Sequence, residues 1–227
     1  MLALLHTSPA HVPVFDALRD EDHQGLELRH FVDEELLARA RCEGPQAVAG
    51  AVRDVLDAAV AEGARAVLCT CSTIGGVAET AGAGVGVPVL RGDRPMAAAA
   101  VAAGPRVVVA ATLESTLGPT VALVEEEGRR SGRPVGLLDI RTLLVDGAWA
   151  RFEAGDAEGC ARLVADAVDA VIDADAIVLA QGSMAPAQHL TTTMIPVLSS
   201  PRPGLAAGAR AARAAEPSRV SGGAGDG

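Results

Sequence analysis

Ala64-Arg65-Ala66-Val67-Leu68-Cys69-Thr70-Cys71-Ser72-Thr73-Ile74 recurs in the second half of the chain as Ala174-Asp175-Ala176-Ile177-Val178-Leu179-Ala180-Gln181-Gly182-Ser183-Met184. Both stretches run from alanine through a polar residue into an apolar run that ends in a small polar cluster. A continuous apolar run of this length, bounded by turn residues, reads as a strand buried on both faces of a parallel sheet. The likeness continues outward. Val87-Pro88-Val89-Leu90 with Arg94-Pro95 answers to Ile195-Pro196-Val197-Leu198 with Arg202-Pro203, and an alanine-rich helical pattern follows each. Agreement over roughly 40 residues in each half marks an internal duplication.

Working outward, short β-type runs alternate with helical patterns along the whole chain, as in α/β folds with parallel sheets. Strands are expected at 2–6, 26–30, 66–71, 87–90, 106–111, 134–140, 176–181 and 196–198. Helices are expected near 9–22, 34–62, 94–103, 115–131, 153–173 and 203–215. The fold class that follows is α/β, with two pseudo-symmetric parallel-sheet domains and the active site in the cleft between them. The first domain is expected at 1–94 plus 197–227, its last helix crossing back to it, and the second at 95–196. The Gly- and Ser-rich end, 216–227, is expected to fray.

Composition removes several chemistries. The 227 residues include no Lys, no Asn and no Tyr, so no lysine Schiff base, P-loop lysine or phenolic acid is available. A net charge of −10 and 2% aromatic content argue against nucleic acid. No apolar run reaches the roughly 18 residues of a membrane helix, which argues against a membrane partner. The start, Met1-Leu2-Ala3-Leu4-Leu5-His6, lacks a basic leader and reads as a core strand rather than a signal peptide. Cys42, Cys69, Cys71 and Cys160 make no disulfide framework or zinc knuckle, so a reduced, cytoplasmic, metal-free protein is expected. A homo-oligomer is compatible with the sequence.

In open parallel sheets ligands bind at the carboxyl ends of the strands. Four polar clusters fall there: His6-Thr7-Ser8, Cys71-Ser72-Thr73, Thr112 with Ser115-Thr116, and Gln181-Gly182-Ser183. Hydroxyls and free N–H groups at helix starts make a cradle for a small carboxylate, although each Ser or Thr alone would serve equally as a helix cap. Cys71 at a strand end is the thiol placed to react, while Cys69, Cys42 and Cys160 read as small buried hydrophobes. Glu114 and His189 are weaker candidates, and His30 and Asp33 would either line the cleft or cap the helix from Glu34. The acidic runs 20–22 and 125–127 read as solvated helix faces.

With these motifs in hand, the sequence resembles the aspartate/glutamate racemase superfamily, which includes hydantoin racemases, maleate isomerases and arylmalonate decarboxylases. Cys71-Ser72-Thr73 matches the family's Cys-(Asn/Ser)-Thr motif, and Ala111-Thr112-Leu113-Glu114-Ser115-Thr116 looks like its Thr-rich, carboxylate-binding loop. Leu179 and Met184 flank the second-half motif as in the family, but its cysteine is replaced by Gln181. The resemblance implies a cofactor-independent isomerase or racemase acting on a small carboxylate through an enolate-like intermediate. Cys71 would carry the proton. His6, standing near the usual place of an aspartate, would orient or deprotonate it. Thr7, Ser8, Ser72, Thr73, Thr112, Ser115, Thr116, Gln181, Gly182 and Ser183 would bind the substrate. Gln181 is no acid or base near neutral pH, so a symmetric two-thiol mechanism is excluded. A single-thiol lyase or decarboxylase, or a non-catalytic carboxylate binder, remain the alternatives.

Overall fold

The computed structural model describes residues 1–134 and 136–215. The expected end segment 216–227 therefore lies outside the described residues.

Among the described residues, eight strands form two separate four-stranded sheets of the same parallel design. The first contains β1 (Leu2–His6), β2 (Leu28–Val32), β3 (Ala66–Cys69) and β4 (Val89–Arg91), in the order β2-β1-β3-β4. The second contains β5 (Arg106–Ala111), β6 (Asp139–Leu144), β7 (Ala176–Leu179) and β8 (Val197–Leu198), in the order β6-β5-β7-β8. The repeated sequence has become a repeated topology.

Each central strand is buried on both faces. In β1, Ala3 and Leu5 pack beneath α2 (Glu34–Glu43) and α3 (Ala49–Ala61), while Leu2 and Leu4 meet Phe15 of α1 (Val12–Asp22). In β5, Val108 and Ala110 face α8 (Ala157–Asp169), while Val107, Val109 and Ala111 face α5 (Arg94–Ala103) and α6 (Glu114–Arg130). Parallel sheets covered on both sides show just such unbroken apolar strands. The last helix, α9 (Pro201–Ala214), returns to the first sheet and packs on it through Leu205. A Cβ at Gly208 would stand 2.9 Å from Leu2 Cδ2, so the absence of a side chain sets that approach.

Several expected boundaries move. The long helix expected at 34–62 is cut at Gly44, whose φ of 92° ends α2 and turns the chain into a 3-10 segment before α3. β2 and β6 lie further along than expected, at Leu28–Val32 and Asp139–Leu144. The helix expected at 153–173 is α8, shorter at both ends, and a separate helix, α7 (Ala148–Glu153), precedes it. A further helix, α4 (Ser72–Ala81), fills a stretch for which the sequence predicts neither strand nor helix. Gly75 is small for a packing reason: a Cβ there would lie 3.0 Å from Arg91 Cβ. Among the described residues no helix is long and apolar enough to cross a membrane.

Candidate active site

β1 ends on His6, which is fully buried. Thr7 follows, also buried, and the Ser8 hydroxyl accepts from Ala10 N at 3.4 Å, capping the 3-10 turn Pro9–His11. The imidazole of His6 is engaged at both nitrogens. Nδ1 lies 2.8 Å from Thr70 Oγ1 and Nε2 lies 2.8 Å from His30 Nδ1. The expected direct partnership with Cys71 is therefore not formed among the described residues. Burial, reinforced by the neighbouring charges of His30 and His11, lowers the His6 pKa to about 3. Near neutral pH His6 is therefore uncharged, and its two nitrogens face Thr70 and His30. Asp33 caps α2 through Glu35 N and Leu36 N. His30, by contrast, is part of the His6 cluster.

Thr70 leads directly into Cys71, which occupies the N-cap position of α4 with extended backbone (φ −97°, ψ 118°). Cys71 is partly exposed, whereas Cys69 is buried and donates from Sγ to the Cys71 carbonyl at 3.6 Å. Burial and then the adjacent Cys71 push the Cys69 thiol far up, which leaves it inert. Ser72 and Thr73 are buried in the first turn of α4. Under that turn lies an ion pair that sequence reasoning missed. Arg91 donates to both carboxylate oxygens of Asp93, at 2.7 and 2.8 Å, and to Ser72 O at 3.5 Å, with both side chains nearly fully buried. The signal available was a pair of charges directly after an apolar strand.

The halves meet at this point. Ser72 Oγ donates to Ala180 O at 2.7 Å, across 108 positions of sequence, so Cys71-Ser72 lies against Ala180-Gln181. The Gln181 side chain turns toward the Thr-rich loop. Its Oε1 accepts from Thr112 N (2.7 Å), Thr112 Oγ1 (3.0 Å) and Leu113 N (3.2 Å). Of the donors expected to hold a carboxylate, Thr112 is thus satisfied by the protein's own amide. Close by, Thr116 is buried in the first turn of α6, and Ser115 Oγ is buried with no hydrogen-bond partner among the described residues. Glu114 is exposed.

Two cavities open from the strand ends. One of about 540 Å³ reaches Thr7 and Ser8 and is walled by Trp149 and Phe152 of α7. The other, about 640 Å³, reaches Gly182 and Ser183, with His11, Phe152 and His189 in its wall. A Cβ on Gly182 would come within 3.2 Å of His11 Cε1, so this glycine lets the two halves approach. His189 is exposed at the rim.

The acidic run 125–127 departs from the expected solvated face. Glu127 is largely buried, and Arg94 pairs with Glu79, Glu126 and Glu127, binding α4 to α6 beside the site. No group of three or more metal-ligating side chains is found among the described residues.

The architecture is shared by solved structures of low sequence identity. Aspartate racemase of Picrophilus torridus aligns at TM-score 0.66 and 16% identity, over 93% of this chain and 94% of that one. A double mutant of arylmalonate decarboxylase aligns at 0.61 and 21%, over 93% and 92%. Allantoin racemase of Klebsiella pneumoniae aligns at 0.59 and 17%, over 91% and 85%. Comparison with curated proteins gives no match. The family model for Asp/Glu/Hydantoin racemase matches residues 11–208, nearly the whole chain, and the chain belongs to that family.

Proposed function

We propose that the protein is a cofactor-independent isomerase or racemase that exchanges the α-proton of a small carboxylate, with Cys71 as the proton carrier. The site would lie where a first unit, 1–94 with 197–227, meets a second, 95–196. The observation that carries this reading is the placement of Cys71. It is the accessible thiol of the Cys69/Cys71 pair, stands at the start of a ten-residue helix, and is set against the Gln181 motif by the Ser72–Ala180 bond. A thiolate formed there faces the positive end of the helix dipole, as does an enolate developing nearby.

The acceptor side of the substrate would be met by hydroxyls that have no hydrogen bond among the described residues. Those are Thr7, Thr73, Ser115 and Thr116. Thr112 would join them when its N–H and hydroxyl exchange Gln181 for substrate. Free cysteines throughout the described chain favour a reducing, cytoplasmic setting.

A second reading draws on Gln181. Held by Thr112 and Leu113, this amide supplies no proton, so one face of the substrate has a thiol and the other has none. A lyase that protonates an enolate from one side needs no more than that.

Incubation with 2-substituted acids in deuterated buffer tests both readings. The parent is expected to wash deuterium into the α-position, and Cys71→Ala to lose that exchange by at least about a hundredfold, the usual scale for a lost general acid or base. Carbon dioxide release from a malonate-like acid would select the lyase. Thermal stabilisation by the acids without turnover would identify a binder and overturn both.

A further inference from the structure

A line of hydrogen bonds runs inward from the surface beside the candidate site. Asp16 Oδ1 on α1 lies 3.4 Å from His30 Nε2, His30 Nδ1 lies 2.8 Å from His6 Nε2, and His6 Nδ1 lies 2.8 Å from Thr70 Oγ1. Thr70 Oγ1 also lies 3.1 Å from Leu5 O. The His6 and His30 rings are near parallel, 5.1 Å between centroids and 18° between planes. The groups facing this line are few. Arg19 shares Asp16 at 3.2 Å, His11 sits 6.4 Å from His6, and Arg29 on the same strand is occupied by Glu62.

Counting protons gives two arrangements in which every ring nitrogen is hydrogen-bonded, and they differ in whether Thr70 also donates to Leu5 O. In the first, both imidazoles are neutral and every proton points outward. Thr70 donates to His6 Nδ1, His6 Nε2–H donates to His30 Nδ1, and His30 Nε2–H donates to Asp16. In the second, one proton has been added and each bond is reversed up to His30. Thr70 donates to Leu5 O, His6 Nδ1–H donates to Thr70, and His30 Nδ1–H donates to His6 Nε2. His30, now protonated at both nitrogens, keeps its bond to the Asp16 carboxylate. The added proton bonds to His6 Nδ1 while the His6 Nε2 proton passes to His30 Nδ1. One N–H bond forms and one breaks on His6, and the positive charge comes to rest beside Asp16. The alternative, charge on His6, is opposed by its complete burial.

The geometry points to His30 and Asp16 as positioning residues that store one proton for the site and switch the tautomer of His6, and through it the Thr70 hydroxyl directly before Cys71. Their influence on turnover rests on the function proposed above, whereas the tautomer switch does not. The tests separate the two.

Nitrogen-15 NMR of the imidazoles across pH 5–9 is expected to show His6 neutral throughout, with its proton on Nε2 at high pH and on Nδ1 at low pH. The change should coincide with the second protonation of His30. Asp16→Asn should move it to lower pH, and His30→Gln, which puts a hydrogen-bonding amide in place of the imidazole but takes no proton, should abolish it. The pH profile of α-proton exchange should carry a step at the same pH, displaced in Asp16→Asn and missing in His30→Gln. Asp16 is partly exposed, so its variant reports even where His30→Gln fails to fold. A single His6 tautomer over the whole range, or a cationic His6 within it, overturns the switch. A switch whose removal leaves the exchange profile unchanged overturns the positioning role. Absence of exchange in the parent on every acid tested counts against the proposed function alone, because the NMR result stands without turnover.

Discussion

The side-chain oxygen of Gln181 accepts both the backbone N–H of Thr112, at 2.7 Å, and its hydroxyl, at 3.0 Å. With Leu113 N at 3.2 Å, three donors converge on one amide oxygen at the start of α6. A carboxylate oxygen is the natural competitor for that position, since charge-assisted bonds to N–H groups exceed neutral ones in strength. Gln181→Ala should therefore do two opposite things. It should lower stability by about 1–3 kcal/mol, the cost of leaving buried donors unsatisfied, and it should tighten binding of small carboxylates. Denaturant unfolding with and without malonate measures both. Stability lost with no gain in carboxylate binding would show that the donors serve structure alone.

The four thiols should differ in reactivity. Cys42 is exposed and Cys71 partly so, while Cys69 and Cys160 are buried and their thiol pKa values raised, chiefly by that burial. Brief alkylation of the native protein followed by peptide mass analysis should modify Cys42 and Cys71 at least about tenfold faster than the other two, because thiolate access controls the rate. A bound carboxylate should protect Cys71 and leave Cys42 unaffected. Equal protection of both would place the ligand elsewhere.

Asp93 neutralises a guanidinium that has almost no contact with water. Asp93→Ala leaves Arg91 charged, buried and single, and should cost about 3–5 kcal/mol in chemical unfolding. Replacing the pair together, as Arg91→Met with Asp93→Leu, should recover most of the loss, since the isolated charge is what carries the penalty.

Ser72→Ala removes the 2.7 Å bond by which the first half grips the Ala180 carbonyl. The expected loss is about 1–3 kcal/mol for a buried acceptor left without a partner. Because the bond joins the two halves, hydrogen exchange should rise at the start of α4 and after β7 more than in either sheet.

Acid should destabilise the protein in part through His6. Its pKa falls from 6.5 to about 3 on folding, so the unfolded chain takes up a proton that the folded chain refuses. The stability it contributes is complete above pH 6.5 and is lost as pH falls toward 3, with a limiting slope of about 1.4 kcal/mol per pH unit. His11, whose pKa burial also lowers, acts in the same direction. His6→Gln should flatten the stability profile below pH 6.5 relative to the parent, as measured by urea midpoints at stepped pH. An unchanged slope would show that carboxylates alone govern acid unfolding.

Much of the architecture was legible because buried parallel strands leave unbroken apolar runs, as in Leu2–His6 and Arg106–Ala111. Strand β6 was harder to place. Its sequence, Asp-Ile-Arg-Thr-Leu-Leu, is exposed at four of six positions on a sheet edge and mixes polar with apolar residues. Helix α4 was hidden by Gly75 and Gly76, which local propensity assigns to a loop. The reason for Gly75 is Arg91, a residue brought beneath it only by folding.

The sequence by itself determined the duplication, the pairing of a thiol in one half with Gln181 in the other, and the absence of lysine and tyrosine chemistry. These are matters of covalent identity and of local hydrophobic pattern. Tertiary structure alone decided the partners. It bonded His6 to Thr70 and His30, set Gln181 on Thr112, and joined Ser72 to Ala180. A buried polar group takes whichever partner the packing brings within about 3 Å, and sequence spacing does not encode that choice.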